Sequence, residues 1–314
     1  MGRAPLKTHE RWMYALKPAS WPKLGAPFLL GQALGIHASK RFDLEAFGIG
    51  AGFTLAYLVT IVLLNDWGDE PVDRIKRARF PSECSPKTIP DGILSSKALL
   101  TAGLIAGGIG LLIVLGGSAI LRKPYLGLLG AGCLLVFQAY TFAPLRLNYR
   151  GGGELLEMLG IGLGLPWLNA YAQSGILFDP IYGFLIGHGM LSLASALASG
   201  LADEVSDREG GKVTFTTTLG NPWVRRSVHR LLRWSVFAWI GTAAVLGGPA
   251  WAPALAGSAI VLLYAREVER ISPTALTNAF DAQRSYKNAL HGAVWYGALA
   301  LAMILWSQQG GPSR

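Results

Sequence analysis

Apolar stretches of nearly bilayer-spanning length recur along the whole chain, and they constrain the fold more than any other feature. A helix needs roughly 20 apolar residues to cross a membrane. Of the 314 residues, 51% are hydrophobic and only 15% are charged. The sequence therefore predicts an all-α polytopic membrane protein with nine transmembrane helices. The predicted spans are residues 18–37, 46–65, 98–120, 125–145, 154–174, 181–201, 232–247, 251–265 and 288–306.

Basic residues are distributed unevenly between the two sides of the predicted bundle. When the N-terminus is placed in the cytoplasm, 23 of the 28 Lys and Arg residues fall on the cytoplasmic side, as the positive-inside rule requires. Nine spans then put the C-terminus on the far side. This topology accounts for the net charge of +9, so the charge does not indicate a nucleic-acid partner. We expect an integral membrane protein, in the inner membrane if the cell is bacterial.

No stretch of the sequence is typical of a separate soluble domain. We expect a single integral membrane domain over residues 1–314, beginning with a cytoplasmic arm, residues 1–17, that lacks the apolar segment of a signal peptide. Cys84 lies in a predicted loop and Cys133 in a predicted span, so neither a disulfide nor a cysteine-ligated metal is expected. The sequence does not indicate an oligomeric state.

The second predicted span ends in a cluster of acidic residues, NDWGDEPVD, which begins at Asn65. Asp66, Asp69 and Asp73 are spaced i, i+3 and i+7, so a helix would place them on one face, and Asn65 would join Asp69 at i+4. Pro71 should loosen the helix within the cluster. Three carboxylates on one face repel one another unless cations lie among them. Mg²⁺ suits such a cluster, because it binds carboxylates together with water and substrate phosphate oxygens.

A second acidic cluster, DEVSDREGGK, follows the sixth predicted span. Asp203 and Asp207 are spaced i and i+4 and would also share a helical face. One such pair at a helix end is most often a solvated surface feature. Two clusters at equivalent ends of two spans, each followed by basic residues, instead favour a site in which two Mg²⁺ ions bracket a pyrophosphate group.

These motifs resemble those of a known family, the UbiA superfamily of intramembrane prenyltransferases. The first signature of that superfamily is present in full as Asn65-Asp66-x-x-Asp69-x-x-x-Asp73. Asp203-x-x-x-Asp207, followed by REGGKVTFTTTLG, is similar to the second signature. The resemblance extends from the first span to about residue 220. It implies a nine-helix bundle with an active-site cavity that faces the cytoplasm.

The resemblance also implies a reaction. Members of the superfamily bind a polyprenyl diphosphate through Mg²⁺, ionise its allylic C–O bond and let an electron-rich acceptor attack the carbocation. Two Mg²⁺ ions, a polyprenyl diphosphate, an aromatic acceptor and the lipid bilayer are therefore the expected partners. Metal coordination, as a catalytic role, is assigned by the resemblance to Asp66, Asp69, Asp73, Asp203 and Asp207.

Several further residues are candidates for contact with the diphosphate. Lys17 stands where the family commonly has Arg before Pro, and Lys212 follows the second motif. The family's frequent Tyr-x-x-x-Lys pattern begins here at Tyr140 but has Pro144 at its last position. Any one basic residue could instead set the topology or contact lipid headgroups. The full set of candidates is Asn65, Lys17, Lys212, Arg208, Tyr140 and Arg146.

The expected acceptor follows from residues 140–175. Their YRGGGE run, glycine-spaced helix and YAQSG resemble the 1,4-dihydroxy-2-naphthoate polyprenyltransferases of menaquinone synthesis. The acceptor is therefore expected to be an aromatic quinone precursor such as 1,4-dihydroxy-2-naphthoate. That branch usually has Asn-Asn-x-Arg before the second motif, where this chain has SGLA. Glu154 and Glu157 could orient the acceptor, act as a base or complement a helix dipole.

Two other functions stay open at the level of sequence. A terpene cyclase-like enzyme would keep the metal site and the diphosphate ionisation but would use another acceptor or quench the cation internally. A transporter would also place carboxylates in membrane helices. Transport, however, predicts charges and interrupted helices near the bilayer centre, whereas both acidic clusters here lie at span ends. The placement of the clusters favours an enzyme.

Overall fold

The computed structural model describes residues 6–83 and 85–308. Within these ranges no β-strand is present, and the one β-like feature is an isolated bridge between Arg150 and Val213. The all-α prediction is confirmed. Cys133 is a buried free thiol, whereas Cys84 and both chain termini lie outside the described residues.

The described part of the chain contains fifteen α-helices. The first five are α1 Thr8–Leu16, α2 Pro22–Ser39, α3 Leu44–Gly68, α4 Glu70–Arg79 and α5 Ser96–Ile120. The next five are α6 Tyr125–Thr141, α7 Leu147–Arg150, α8 Gly153–Glu157, α9 Leu165–Ser174 and α10 Phe184–Ser199. The last five are α11 Glu204–Glu209, α12 Phe215–Leu219, α13 Asn221–Leu246, α14 Trp251–Ile271 and α15 Phe280–Ser307. A π-helical segment, Met158–Gly164, joins α8 directly to α9.

Among the described residues, five helical segments are long and apolar enough to cross a membrane. They are Leu44–Gly68, Ser96–Ile120, Pro180–Ala202, Gly248–Thr274 and Phe280–Ser307. Helices also overlap the other predicted spans, but they are shorter or more polar. The helices thus support an integral membrane protein, while the count of nine spans and the cytoplasmic orientation of the bundle stay predictions.

The largest difference from the predicted spans is in α13. This helix begins at Asn221, although its predicted apolar span begins only at residue 232. Four arginines between residues 225 and 233 lower the hydropathy of its first half. A helix forms there nonetheless, because its backbone hydrogen bonds do not require apolar side chains. Much of the segment between the predicted spans 181–201 and 232–247 is therefore helical.

Close approach of helix backbones holds α2 against α9. A Cβ atom on Gly31 would lie 2.2 Å from the carbonyl oxygen of Pro166, so only glycine fits at this contact. Buried amides cross the same interface: Gln32 donates to Asn169 at 2.8 Å, and Gln173 donates to Gln32 at 2.6 Å. Small residues and interhelical hydrogen bonds of this kind stabilise helix pairs where lipid removes the hydrophobic driving force.

Two pairs of helices place the acidic motifs. The helix α3 is followed directly by α4, and α10 is followed by α11 after one short turn, Gly200–Ala202. The two short helices pack closely, since a Cβ atom on Gly210 would lie 2.4 Å from Cγ1 of Val72. The acidic motifs at the ends of α3 and α10 are thereby brought to the same end of the bundle.

Candidate functional site

The first motif spans a break between α3 and α4. Asp69 lies at the break, and Pro71 lies in the first turn of α4, as expected for a proline that loosens the helix. The helical spacing nevertheless continues, because the backbone N–H of Asp69 donates to the carbonyl of Asn65 and that of Asp73 to Asp69, both at 2.9 Å. Asp66, Asp69 and Asp73 are all buried. The break therefore leaves the three carboxylates in one region.

The second motif is built in the same way. Asp203 follows the short turn after α10 and occupies the N-cap position of α11, and the backbone N–H of Asp207 donates to its carbonyl at 2.8 Å. Asp207 is buried. The i, i+4 spacing read from the sequence is thus a real helical spacing in the structure.

Lysines from each motif region reach across to the other motif. Lys212, which follows α11, places its ammonium 2.8 Å from Oδ1 of Asp69. Lys76, on α4, pairs with Asp203. Both lysines are buried. These two crossed ion pairs bring the acidic clusters face to face.

The remaining carboxylates of the first motif have partners of their own. Lys17 pairs with Asp66, whose other oxygen accepts a hydrogen bond from the hydroxyl of Thr88 at 2.6 Å. Lys87 pairs with Asp73. Each carboxylate of the first motif therefore contacts an ammonium group, which compensates its charge in a buried position.

The pKa values of two carboxylates reflect this crowding. Burial raises the pKa of Asp207; Lys212 opposes the rise, while the carboxylates of Asp203 and Asp69 add to it. Burial also raises the pKa of Asp73 to about 6, against the effect of its paired lysine. Shifts of this kind arise where burial disfavours the charged form of a carboxylate more than the neighbouring cations favour it. The pKa of Asp203 is instead lowered, because the effect of burial is outweighed by Lys76 and the other lysines.

Two of the predicted arginines differ in their placement. Arg146 donates to the carbonyl of Gly68 at 3.0 Å and stacks on the ring of Tyr149 at 3.8 Å, so it supports the backbone beside the first motif. Arg208 contacts Glu204 at 3.3 Å and has an exposed side chain. The structure does not bring Arg208 into the cluster.

Sequence reasoning missed four residues that contact the carboxylates. Lys76 could have been identified from the sequence, because it follows the first motif at helical spacing. Lys87 and Thr88 lie in the loop between α4 and α5, where no periodicity marks them. Asn148, on α7, donates to the carboxylate of Asp69 at 3.3 Å. These three come close to the motifs only through the packing of distant segments.

A cavity in the bundle core adjoins the first motif. Residues of α2, α3, α6, α8 and the π-helical segment line it. Asn65 and Tyr140, both predicted site residues, form the part of its wall near the motif, and Tyr140 stacks on Phe137 with ring centroids 5.9 Å apart. The remaining wall is apolar or aromatic except for two charged residues, Lys23 and Glu157.

Glu154 and Glu157, which the sequence did not distinguish, make different contacts in the structure. Glu154 accepts a hydrogen bond from the backbone N–H of Phe215 at 2.9 Å, so it connects α8 to α12. Glu157, one turn later, faces the cavity, and its Oε1 lies 2.7 Å from Nζ of Lys23. Of the two, only Glu157 is placed to meet a ligand in the cavity.

The donor set suits a hard divalent cation by its chemistry, because it consists of carboxylate oxygens. In the present arrangement of the described residues, however, no three Asp, Glu, His or Cys side chains lie close enough together to hold a metal ion. Lysine ammonium groups lie against the carboxylates instead. A metal ion would bind here only after the carboxylates exchange these ammonium partners for it.

The sequence profile of the UbiA prenyltransferase family matches residues 24–288. The chain belongs to the UbiA prenyltransferase family. The resemblance read from the two aspartate motifs is thus confirmed, and both motifs lie inside the matched region.

Curated UbiA relatives are distant in sequence. Chloroplastic chlorophyll synthase from Oryza sativa subsp. japonica is 24% identical over 78% of this chain and 64% of its own length. The 1,4-dihydroxy-2-naphthoate octaprenyltransferase of Mycobacterium tuberculosis is 24% identical over 72% of this chain and 76% of its own length. The enzyme of the same name from Escherichia coli is 26% identical over 69% of this chain and 71% of its own. This UbiA chain therefore spans less than two thirds of the rice protein.

Solved structures of UbiA homologs share the fold. One from Archaeoglobus fulgidus, bound to DMAPP and Mg²⁺, aligns with a TM-score of 0.69 at 12% identity, over 90% of this chain and 99% of that one. A homolog from Aeropyrum pernix K1 aligns with a TM-score of 0.62 at 15% identity, over 86% of this chain and 96% of that one. At such identities the likeness concerns the helical bundle alone.

Proposed function

We propose that this UbiA chain catalyses the Mg²⁺-dependent transfer of a polyprenyl group from its diphosphate to an aromatic acceptor. The observation that carries the proposal is the crossed pairing of the two acidic motifs, Lys212 with Asp69 and Lys76 with Asp203. A metal diphosphate needs carboxylates for its cations and ammonium groups for its phosphate oxygens. The cluster offers both kinds of group in one place.

The proposed site divides into metal ligands and diphosphate ligands. Two Mg²⁺ ions, when bound, would neutralise the charge that develops on the leaving diphosphate. The residues that would hold them are Asp66, Asp69, Asp73, Asp203 and Asp207. The lysines that leave these carboxylates would bind diphosphate oxygens, and they are Lys17, Lys76, Lys87 and Lys212.

The transfer breaks one bond of the diphosphate and forms one bond to the acceptor. The allylic C–O bond breaks, and its electron pair leaves with the diphosphate. A ring carbon of the acceptor supplies the electron pair of the new C–C bond, and the proton on that carbon is released to water. Only the diphosphate and the reacting carbon need to reach the polar cluster, so the isoprenoid chain can lie along the apolar helices in contact with lipid.

We further propose the acceptor and the orientation in the membrane. The acceptor is a quinone precursor such as 1,4-dihydroxy-2-naphthoate; the pattern of residues 140–175 and the naphthoate octaprenyltransferases among the relatives support this choice. The distribution of basic residues supports a cytoplasmic N-terminus and cluster, with the C-terminus on the far side.

The experiment that tests the function uses the full chain in detergent micelles with Mg²⁺ and a polyprenyl diphosphate. A panel of aromatic acceptors is supplied, and products are identified by mass spectrometry. We expect a prenylated aromatic product, which the Asp203→Ala variant should form on the order of a hundredfold more slowly than the wild-type protein, or more slowly still. A cyclised isoprenoid formed without any acceptor would favour the terpene cyclase-like reaction. Failure to consume the diphosphate under all conditions would contradict an enzymatic function and favour a transporter.

A further inference from the structure

Asp91 connects three segments of the chain beside the acidic cluster. It lies in the loop between α4 and α5, and its side chain is only 16% exposed. Its carboxylate accepts a hydrogen bond from the hydroxyl of Tyr14 on α1, one from the guanidinium of Arg77 on α4 at 2.8 Å, and one from the backbone N–H of Lys87 at 2.9 Å. The proposed metal and diphosphate chemistry does not use Asp91.

The surroundings of Asp91 keep its carboxylate ionised. Burial opposes ionisation, but the hydrogen bonds from Tyr14, Lys87 and Arg77 outweigh it and lower the pKa of Asp91. Burial and the bond to Asp91 raise the pKa of Tyr14 to about 12, so the phenol keeps its proton and remains a donor. Hydrogen bonds to an ionised acceptor are stronger than neutral ones. The carboxylate is therefore a firm connection between the three segments.

The same carboxylate closes a turn that carries two groups of the proposed site. The backbone N–H of Asp91 donates to the carbonyl of Lys87 at 2.9 Å, while the N–H of Lys87 donates to the side chain of Asp91. Within this turn, Lys87 pairs with Asp73, and the hydroxyl of Thr88 donates to Asp66 at 2.6 Å. The turn therefore presents both side chains to the first motif.

The helix α1 is held against this turn and carries a third group to the site. Ala15 of α1, Ile89 of the turn and Leu63 of α3 belong to one buried apolar cluster. Lys17 follows α1 directly and pairs with Asp66. Its φ of +47° is left-handed, a conformation that a residue other than glycine keeps only when its surroundings hold it there. The place of the Lys17 ammonium thus depends on how α1 is fixed.

We propose that Asp91 is a positioning residue for diphosphate binding. It fixes the turn that presents Lys87 and Thr88, and through Tyr14 it fixes the helix that precedes Lys17. A diphosphate then meets ammonium groups that are already ordered, so less conformational entropy is lost on binding. This inference rests on the proposed function, since it names the group that prepares the diphosphate site of that reaction.

The first test is steady-state kinetics of the full chain in detergent with Mg²⁺, a polyprenyl diphosphate and an aromatic acceptor. Asp91→Asn sets an amide N–H₂ group among hydrogen-bond donors. It should raise the KM for the diphosphate about tenfold, as expected when a hydrogen bond to a charged group is lost, and the KM for the acceptor less than about threefold. Tyr14→Phe removes one donor and should raise the diphosphate KM about threefold. The matched control, Asp281→Asn, replaces a side chain that is 87% exposed and should behave as the wild type.

A double variant distinguishes positioning from a general loss of packing. If Asp91 acts through the turn, Asp91→Asn should raise the diphosphate KM less than about threefold in a Lys87→Met background, because the group that it positions is already gone. A general loss of packing would multiply the two single effects, and that result would overturn the inference.

Hydrogen exchange tests the same contacts without turnover. The backbone amides of residues 87–93 and of α1 should exchange faster in the Asp91→Asn variant than in the wild type or in Asp281→Asn. Inorganic pyrophosphate with Mg²⁺ should slow their exchange in the wild type. An active wild type whose diphosphate KM or amide protection survives Asp91→Asn would overturn the inference and leave the proposed function intact. A wild type that forms no prenylated product and gains no protection from pyrophosphate would instead refute the proposed function, and the inference with it.

Discussion

Replacing Lys212 by methionine should destabilise the metal-free protein much more than the Mg²⁺-bound protein. The side chains of Lys212 and Asp69 are 10% and 13% exposed, so their ion pair is largely buried. Removing one partner of a buried pair costs about 3–5 kcal/mol. Because Asp69 keeps the 3.3 Å hydrogen bond from Asn148, we expect the lower end of this range. At roughly 2 °C per kcal/mol for a chain of this size, the melting temperature should fall by about 6 °C.

Mg²⁺ should remove most of this deficit, because a bound cation compensates the carboxylate that the lysine no longer neutralises. Thermal unfolding of the detergent-solubilised protein, followed by tryptophan fluorescence, is measured in excess chelator and in saturating Mg²⁺. The matched control is Arg208→Gln, which also removes one positive charge but from an exposed pair with Glu204. Exposed pairs contribute roughly 0–1 kcal/mol, so the control should melt close to wild type in both conditions.

An equal loss of stability with and without Mg²⁺ would refute the reasoning. Lys212 would then be a structural partner of Asp69, and the ammonium would not occupy the place of a cation. A loss of stability that disappears in Mg²⁺ supports the exchange of ammonium for metal on which the proposed site depends.

Three further predictions concern the metal site and the helix packing. Asp66→Ala or Asp203→Ala should lower the rate of product formation on the order of a hundredfold or more, because metal-assisted charge stabilisation contributes several kcal/mol. The control is Glu83→Ala, which replaces an exposed residue of the loop between α4 and α5 and should leave the rate near that of the wild type. Excess chelator should abolish product formation, and added Mg²⁺ should restore it; undiminished turnover in chelator would exclude the metal role of the carboxylates. Gly31→Ala should destabilise the protein by about 1–3 kcal/mol, because the added methyl group clashes with α9. Gly25→Ala, on the same helix but with open space around its Cβ position, should be neutral or slightly stabilising. Equal melting temperatures for the two variants would contradict the close approach of α2 and α9.

Local properties of the chain were sufficient to predict the fold class and the motifs. Hydropathy is a property of consecutive residues, so the helix α3, Leu44–Gly68, was anticipated to within a few residues by the apolar run at 46–65. The spacing of Asp203 and Asp207 is likewise local, and the structure keeps it as a backbone hydrogen bond of 2.8 Å. The family follows from the same motifs. Hydropathy does not predict a helix that is rich in polar residues, as the early start of α13 shows.

Tertiary structure alone decided which groups meet. Lys76 and Asp203 are 127 residues apart in the chain, and their contact exists because α4 packs on α11. Glu154 and Glu157 are one helical turn apart and looked equivalent in the sequence, yet one binds a backbone N–H of α12 and the other faces the cavity beside Lys23. The physical reason is that a residue's partners depend on the rotation and separation of whole helices. Those quantities are set by contacts distributed along the helix interfaces, such as the approach of Gly31 to α9, and no short stretch of sequence contains them.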